Sequence, residues 1–217
     1  MTAQSDLAQI VDGGVIAIVR LDSAARLIDA ANAIAKGGIT TIEFTMTTPG
    51  AIDALSEACS TIGGHVVLGA GTVLDTETAR AAILAGARFI VSPTFSKDVV
   101  AMCRRYGVVS MPGAYSPTEV LTAWESGADL VKVFPAGGLG PSYVRDILAP
   151  MPHVRLVPTG GVTLDNAAAF IQAGATAVAV GGNLVEPKAV AAGDMERITR
   201  LAGAFQAAVE SARHRPA

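Results

Sequence analysis

Ser126-Gly127-Ala128-Asp129-Leu130-Val131-Lys132-Val133-Phe134-Pro135 is the stretch on which the reading of this chain turns. Ser-Gly-Ala closes one element, and an apolar, β-branched run follows until a proline stops it, which is the pattern of a buried strand. A lysine sits in its middle. Side chains alternate along a strand, so Leu130, Lys132 and Phe134 share one face while Val131 and Val133 take the other. With apolar neighbours on both sides, an ammonium at Lys132 is poorly hydrated, which lowers its pKa and favours the nucleophilic amine. A lysine that reaches the rim, or pairs with a carboxylate, is the ordinary alternative.

The same phrase recurs on both sides of this stretch. Lys36-Gly37-Gly38, Leu84-Ala85-Gly86 and Ala173-Gly174-Ala175 each close an Ala-rich helical pattern with glycine and lead into an apolar run. Strand-like runs occupy 15–20, 40–45, 65–69, 87–91, 108–111, 130–134, 154–157 and 176–180. Helical patterns cover 23–36, 76–84, 97–106, 117–125, 142–148 and 164–172, with a short helix over 4–12 ahead of the first strand. Ser23, Thr76, Ser116 and Asp165 mark helix starts. The strands are near-continuously apolar, as parallel strands buried on both faces are. Eight such units, spaced roughly twenty to twenty-five residues apart, predict a single-domain (β/α)8 TIM barrel over residues 1–217. An open doubly wound sheet is the competing α/β architecture, but Gly-x-Gly-x-x-Gly is missing after the first strand.

Composition narrows the function classes. The 217 residues are 51% hydrophobic and carry a formal net charge of −3, with no basic run, which argues against nucleic acid as a partner. No apolar run approaches membrane-spanning length, because Gly, Pro or a charge interrupts each one. Cys59 and Cys103 have no metal-type spacing, and the first twelve residues lack a signal-peptide core. The expectation is a cytoplasmic protein with reduced thiols.

In a (β/α)8 barrel the chemistry gathers at the carboxyl ends of the strands. Here each strand brings something unusual to that rim. Arg20 ends the first strand, and Glu43, Thr45 and Thr47 fall on the inward period of the second. Gly69-Ala70-Gly71-Thr72 follows the third, Ser92-Pro93 the fourth and Pro112-Gly113 the fifth. Lys132 and Phe134 share one face of the sixth. Pro158-Thr159-Gly160-Gly161 closes the seventh, and Gly181-Gly182-Asn183 the eighth. A buried Glu43 beside Lys132 is either a structural ion pair or an acid/base and nucleophile suited to imine chemistry. The paired glycines expose backbone N–H groups at helix starts, the usual phosphate site of the fold. His65, His153 and His214 share no rim with Lys132.

Taken together, Ile42-Glu43-Phe44-Thr45, Gly69-Ala70-Gly71-Thr72-Val73-Leu74, Val91-Ser92-Pro93, Met111-Pro112-Gly113, Val131-Lys132-Val133-Phe134-Pro135 and Pro158-Thr159-Gly160-Gly161-Val162 resemble one family. It is the class I 2-keto-3-deoxy-6-phosphogluconate (KDPG) and 4-hydroxy-2-oxoglutarate (KHG) aldolases. The resemblance runs from about Val15 to about Ala208. It implies Lys132 as the Schiff-base lysine, Glu43 as the general acid/base, and Thr72 with the second-strand rim as the pyruvyl carboxylate site. It implies a phosphate on Gly160, Gly161, Gly181, Gly182 and Asn183, with Arg20, Thr47, Pro93, Phe134 and Thr159 completing the substrate site. The implied substrate is a phosphorylated or dicarboxylic 2-keto acid, with no metal or other cofactor, in a homotrimer. Many members carry arginine where this chain has Thr47. Arg20 is then the candidate for the missing charge, as in the related 2-keto-3-deoxy-6-phosphogalactonate aldolases, whose Gly-Pro-x-Tyr also occurs here at Gly140-Pro141-Ser142-Tyr143. A galactonate-specific aldolase, a phosphate-binding isomerase and a non-catalytic barrel that binds a phosphometabolite remain as alternatives.

Overall fold

The computed structural model describes residues 2–214. Its strands are β1 (Val15–Val19), β2 (Thr41–Thr45), β3 (Val67–Gly71), β4 (Phe89–Val91), β5 (Val109–Met111), β6 (Gly113–Ala114), β7 (Val131–Val133), β8 (Leu156–Pro158) and β9 (Val178–Val180). All their pairings are parallel. Each expected strand is found, alternating with helices, so the α/β class and the chain order follow the sequence reading.

The single closed sheet expected from the repeat is interrupted. The strands lie in a six-stranded sheet, ordered β5-β4-β3-β2-β1-β9, and a three-stranded sheet, ordered β6-β7-β8. The first break falls at Pro112, just past the expected strand 108–111. Pro112 has no N–H for a ladder, so the chain pairs with β4 before it and with β7 after it. Its carbonyl still accepts from the Lys132 N–H at 2.9 Å, and Ser110 O accepts from Leu130 N–H at 3.2 Å. At the other break an isolated parallel bridge joins Thr159 to Ala179, and Thr176 N–H donates to Leu156 O at 2.9 Å.

Strand alternation sorts the interior into two layers. Ala17, Val19, Ile42, Phe44, Leu68, Ala70, Ile90, Val131 and Val133 face the helices. Ile16, Ile18, Val67, Phe89, Val91, Val109, Met111, Leu130, Val157 and Ala179 form a second cluster on the opposite strand faces. Helix α1 (Ala3–Gly13), capped by Thr2, packs Leu7, Ile10 and Val11 against that second cluster. Ile10 is fully buried, a contribution of about 1.5–3 kcal/mol. The buried Asp6 of α1 pairs with Arg88, which precedes β4 and also donates to Val66 O at 3.1 Å. That pairing ties the helix to the amino-terminal end of the strands and leaves the carboxyl ends free.

The other expected helices are α2 (Leu27–Lys36), α4 (Thr76–Leu84), α5 (Lys97–Tyr106), α6 (Pro117–Glu125), α7 (Gly140–Leu148) and α8 (Leu164–Gln172). Among the described residues three further helices complete the surface: α3 (Ala51–Thr61), α9 (Pro187–Ala191) and the long α10 (Met195–Arg213). The sequence reading gave α3 no place. Its start is Gly50 in the left-handed region, without a side-chain cap to announce it.

Candidate active site

Lys132 and Glu43 meet at the carboxyl ends of the strands because both lie on the inward strand period. On β7, Lys132 is in register with Gly113 on one side and Val157 on the other. It is 6% exposed, so the side chain does not reach solvent at the rim, and its Nζ lies 5.0 Å from the centre of the Phe134 ring. On β2, Glu43 is in register with Ile18 and Gly69 and is 1% exposed. Its Oε1 lies against Gly71, where a methyl group would collide with the carboxylate. Its Oε2 is buried with no hydrogen-bond partner among the described residues. An orphaned buried oxygen costs about 1–3 kcal/mol, and more for a charged group, unless a ligand or solvent satisfies it.

The structural ion pair is not formed. Among the described residues Lys132 takes part in no salt bridge. Burial, the largest influence on each, pushes the Glu43 carboxyl above its ordinary pKa and the Lys132 ammonium below its own. Their mutual attraction works against both shifts but is the smaller effect. Arg20 adds to the lysine's shift and opposes the glutamate's. The pair is therefore biased toward carboxylic acid and amine, the forms needed for proton transfer and for attack on a carbonyl.

Both groups open onto one cavity of about 230 Å³. Of the residues singled out from the sequence, Arg20, Glu43, Thr72, Pro93, Lys132, Phe134, Thr159, Gly160, Gly161, Gly181, Gly182 and Asn183 all line it. Thr47 does not. The inward period stops with β2 at Thr45, because Thr48 N–H turns back to Thr45 O at 2.9 Å and leaves Thr47 exposed. Thr48 is the buried residue of that turn: its hydroxyl lies 3.2 Å from Thr45 Oγ1 and accepts from Leu21 N–H at 3.3 Å. Ile18, Val162 and Ala179 complete the lining without having been singled out. Ile18 and Ala179 could have been found, because each falls on the inward alternation of its strand.

The two glycine loops close one side. Gly160 and Gly161 hold φ of +80° and +81°, a conformation that any side chain would strain. Gly161 packs directly on Gly137, whose Cα would lie 2.5 Å from a Cβ at Gly161, so that position has no room for one. The amide of Asn183 crosses between the loops and donates to Val162 O at 2.7 Å. A larger open groove of about 700 Å³ lies between α2 (Leu27–Lys36) and α10. Arg26 pairs there with Asp29 at 2.9 Å and Arg200 with Glu196 at 3.9 Å, and no candidate site residue reaches it. Among the described residues, no group of three or more His, Cys, Asp or Glu side chains gathers as a metal site, and no helix is long and apolar enough to cross a membrane.

The chain is 42% identical over 192 residues to a 2-dehydro-3-deoxy-phosphogluconate aldolase of Treponema pallidum, covering 86% of this chain and 89% of that protein. It is 31% identical over 181 residues to a 2-dehydro-3-deoxy-6-phosphogalactonate aldolase of Escherichia coli, covering 83% and 86% of the two chains. A crystal structure of a KDPG aldolase from Legionella pneumophila, with pyruvate captured as a covalent carbinolamine, superposes with a TM-score of 0.84 at 28% identity. It covers 92% of this chain and 97% of that one. Residues 8–201, which contain every residue lining the cavity, match the model of one family, and the chain belongs to it: the KDPG and KHG aldolases.

Proposed function

We propose that this chain is a class I aldolase that cleaves 2-keto-3-deoxy-6-phosphogluconate to pyruvate and glyceraldehyde 3-phosphate. By the same chemistry it would cleave 4-hydroxy-2-oxoglutarate to pyruvate and glyoxylate. The observation that carries this reading is the buried Lys132 and Glu43 pair, unbridged and biased toward its neutral forms, facing one cavity.

In this reading the Lys132 amine attacks the C2 ketone, and Glu43 gives the proton with which the carbinolamine oxygen leaves as water. The iminium that remains is an electron sink. Glu43, now a carboxylate, removes the C4 hydroxyl proton, directly or through a water. The C3–C4 bond breaks as its electrons form the enamine and the aldehyde departs. Protonation at C3 and hydrolysis of the imine release pyruvate and restore Lys132. Phe134, close above the Nζ, limits water around the amine and stabilises the cationic intermediate by its ring face. Thr72 and Arg20 would take the substrate carboxylate. The N–H groups of the two glycine loops would take the phosphate, as backbone donors at helix starts do.

A galactonate-configured substrate is the second reading. Arg20 lines the cavity and Thr47 does not, and the phosphogalactonate aldolase of Escherichia coli is among the relatives. Rates on the two C4 epimers separate the two readings. The two sheets would act as one closed (β/α)8 barrel in a single domain over 1–217. The Thr159–Ala179 bridge and the backbone bonds across Pro112 support that closure. Assembly as a homotrimer is part of the proposal and rests on family membership. A cytoplasmic location is supported by Cys59 and Cys103 both being free.

Trapping with pyruvate and borohydride is the decisive experiment. Lys132 should carry the adduct, while the exposed Lys36, Lys97 and Lys188 stay unmodified. Lys132→Arg should fold, trap nothing and turn over nothing, because a guanidinium does not form the imine. An adduct on another lysine, or none, defeats the assignment.

A further inference from the structure

Two peptide units beside the cavity are held by asparagine side chains. The carbonyl of Gly161 accepts from Asn166 Nδ2 at 2.9 Å, and Asn166 Oδ1 accepts from Thr163 N–H at 2.8 Å. These two contacts fix the amide's orientation, since only its oxygen can face an N–H and only its nitrogen a carbonyl. The next carbonyl, that of Val162, accepts from Asn183 Nδ2. Both polar groups of the Val162–Thr163 peptide are thus satisfied, and so is the carbonyl of Gly161–Val162.

One group is left over. In a planar trans peptide the N–H points opposite to the C=O. With the Gly161 carbonyl drawn back toward Asn166 in α8 (Leu164–Gln172), the Val162 N–H is turned the other way, toward the cavity that Val162 lines. Val162 is 2% exposed, yet its N–H has no hydrogen-bond partner among the described residues. A buried, unpaired backbone N–H is rare in a folded protein, and beside a cavity it marks a place where a ligand acceptor belongs. The brace matters because of what precedes it. Gly160 and Gly161 both sit at positive φ, and glycine reaches either sign of φ with little penalty, so this loop by itself has several ways to turn its peptides.

We infer that Asn166 is a positioning residue for the anionic end of the substrate. It holds the Gly161–Val162 peptide so that the Val162 N–H faces the bound anion, while Asn183 fixes the adjoining peptide from the opposite loop. The inference rests on the proposed aldolase function, in which that anion is the phosphate of a 2-keto-3-deoxy sugar acid. Asn166 touches no substrate and acts only through the backbone.

The test compares Asn166→Asp and Asn166→Ala with the wild type, each as the full chain. The aspartate keeps an acceptor for Thr163 N–H, so the start of α8 is retained, but it has nothing to donate to Gly161 O. The alanine is the uncharged control. In both variants the KM for 2-keto-3-deoxy-6-phosphogluconate and the inhibition constant of inorganic phosphate should rise roughly tenfold to a hundredfold, the loss expected for one hydrogen bond to a charged group. Turnover at saturation, kcat/KM for the phosphate-free 4-hydroxy-2-oxoglutarate, and trapping of pyruvate should stay at wild-type values. Equal losses on both substrates would make Asn166 merely structural, and a loss in the aspartate variant alone would trace to charge repulsion. Either result overturns the inference, as does no loss at all. If the wild type neither traps pyruvate nor cleaves either substrate, the aldolase reading fails instead. The inference is then judged on thermal stabilisation by inorganic phosphate, present in the wild type and lost in both variants if it is right.

Discussion

Arg20→Ala against Thr47→Ala is the substitution pair that tests how the site holds a charged substrate. Arg20 follows the last residue of β1, lines the cavity, and is, among the described residues, the only cationic lining residue besides Lys132. Thr47 lies outside the cavity in an exposed turn. A charged hydrogen bond to a bound anion is worth about 1.5–3 kcal/mol, so Arg20→Ala should lower kcat/KM by roughly tenfold to a hundredfold. Thr47→Ala, exposed and apart from the cavity, should stay within about 0.5 kcal/mol of wild type. A second signature follows from electrostatics. Arg20 adds to the downward shift of the Lys132 pKa, so its removal lets that pKa climb back toward 10.5, lysine's ordinary value. The free amine then appears only at higher pH, and the acid limb of imine formation moves up the pH scale. Arg20 is exposed, so solvent keeps this shift small. The assay is a pH profile of kcat/KM and of pyruvate trapping, run on a phosphorylated sugar acid and on 4-hydroxy-2-oxoglutarate. A loss confined to the phosphorylated substrate places Arg20 at the phosphate, and equal losses place it at the carboxylate. A silent Arg20→Ala together with a damaging Thr47→Ala would refute the reasoning.

Two further outcomes follow from Glu43 and its surroundings. Glu43→Gln preserves size and polarity but not the transferable proton, so kcat should fall by roughly 10²–10⁴-fold, with the pyruvate adduct still forming slowly; near-normal turnover in steady-state assays would reduce Glu43 to a structural role. Gly71→Ala pushes a methyl group into the Glu43 carboxylate, with Val91 Cβ only 3.0 Å away on the other side. Overpacking of this kind costs about 1–3 kcal/mol, and kcat should drop while phosphate binding holds; unchanged melting and kcat would mean that the carboxylate has room to move aside.

Much of the candidate site was legible because strand alternation and the repeat were enough to place it. Lys132 and Glu43 fall on inward positions of apolar strands, and the helix-closing glycines fix where each strand begins. The paired glycines at 160–161 and 181–182 fall at strand ends for the same reason. Alternation fails where a strand stops. Thr47 was extrapolated along a period that ends at Thr45, and the residue that turns back into the structure is Thr48. The break at Pro112 was likewise hidden: the proline is visible in the sequence, but its two flanks pair with different neighbours, which only the register reveals.

The sequence by itself determined the α/β order of the elements, the face on which each candidate side chain lies, and the rim at which they gather. These depend on local geometry, namely the two-residue period of a strand, the φ freedom of glycine and the missing N–H of proline. Only the tertiary structure decided what surrounds those side chains. It left Lys132 and Glu43 unbridged, brought Arg20 to the cavity and turned Thr47 away from it. The burial of Lys132 and Glu43 is a sum over neighbours remote in the chain, and no local pattern encodes it.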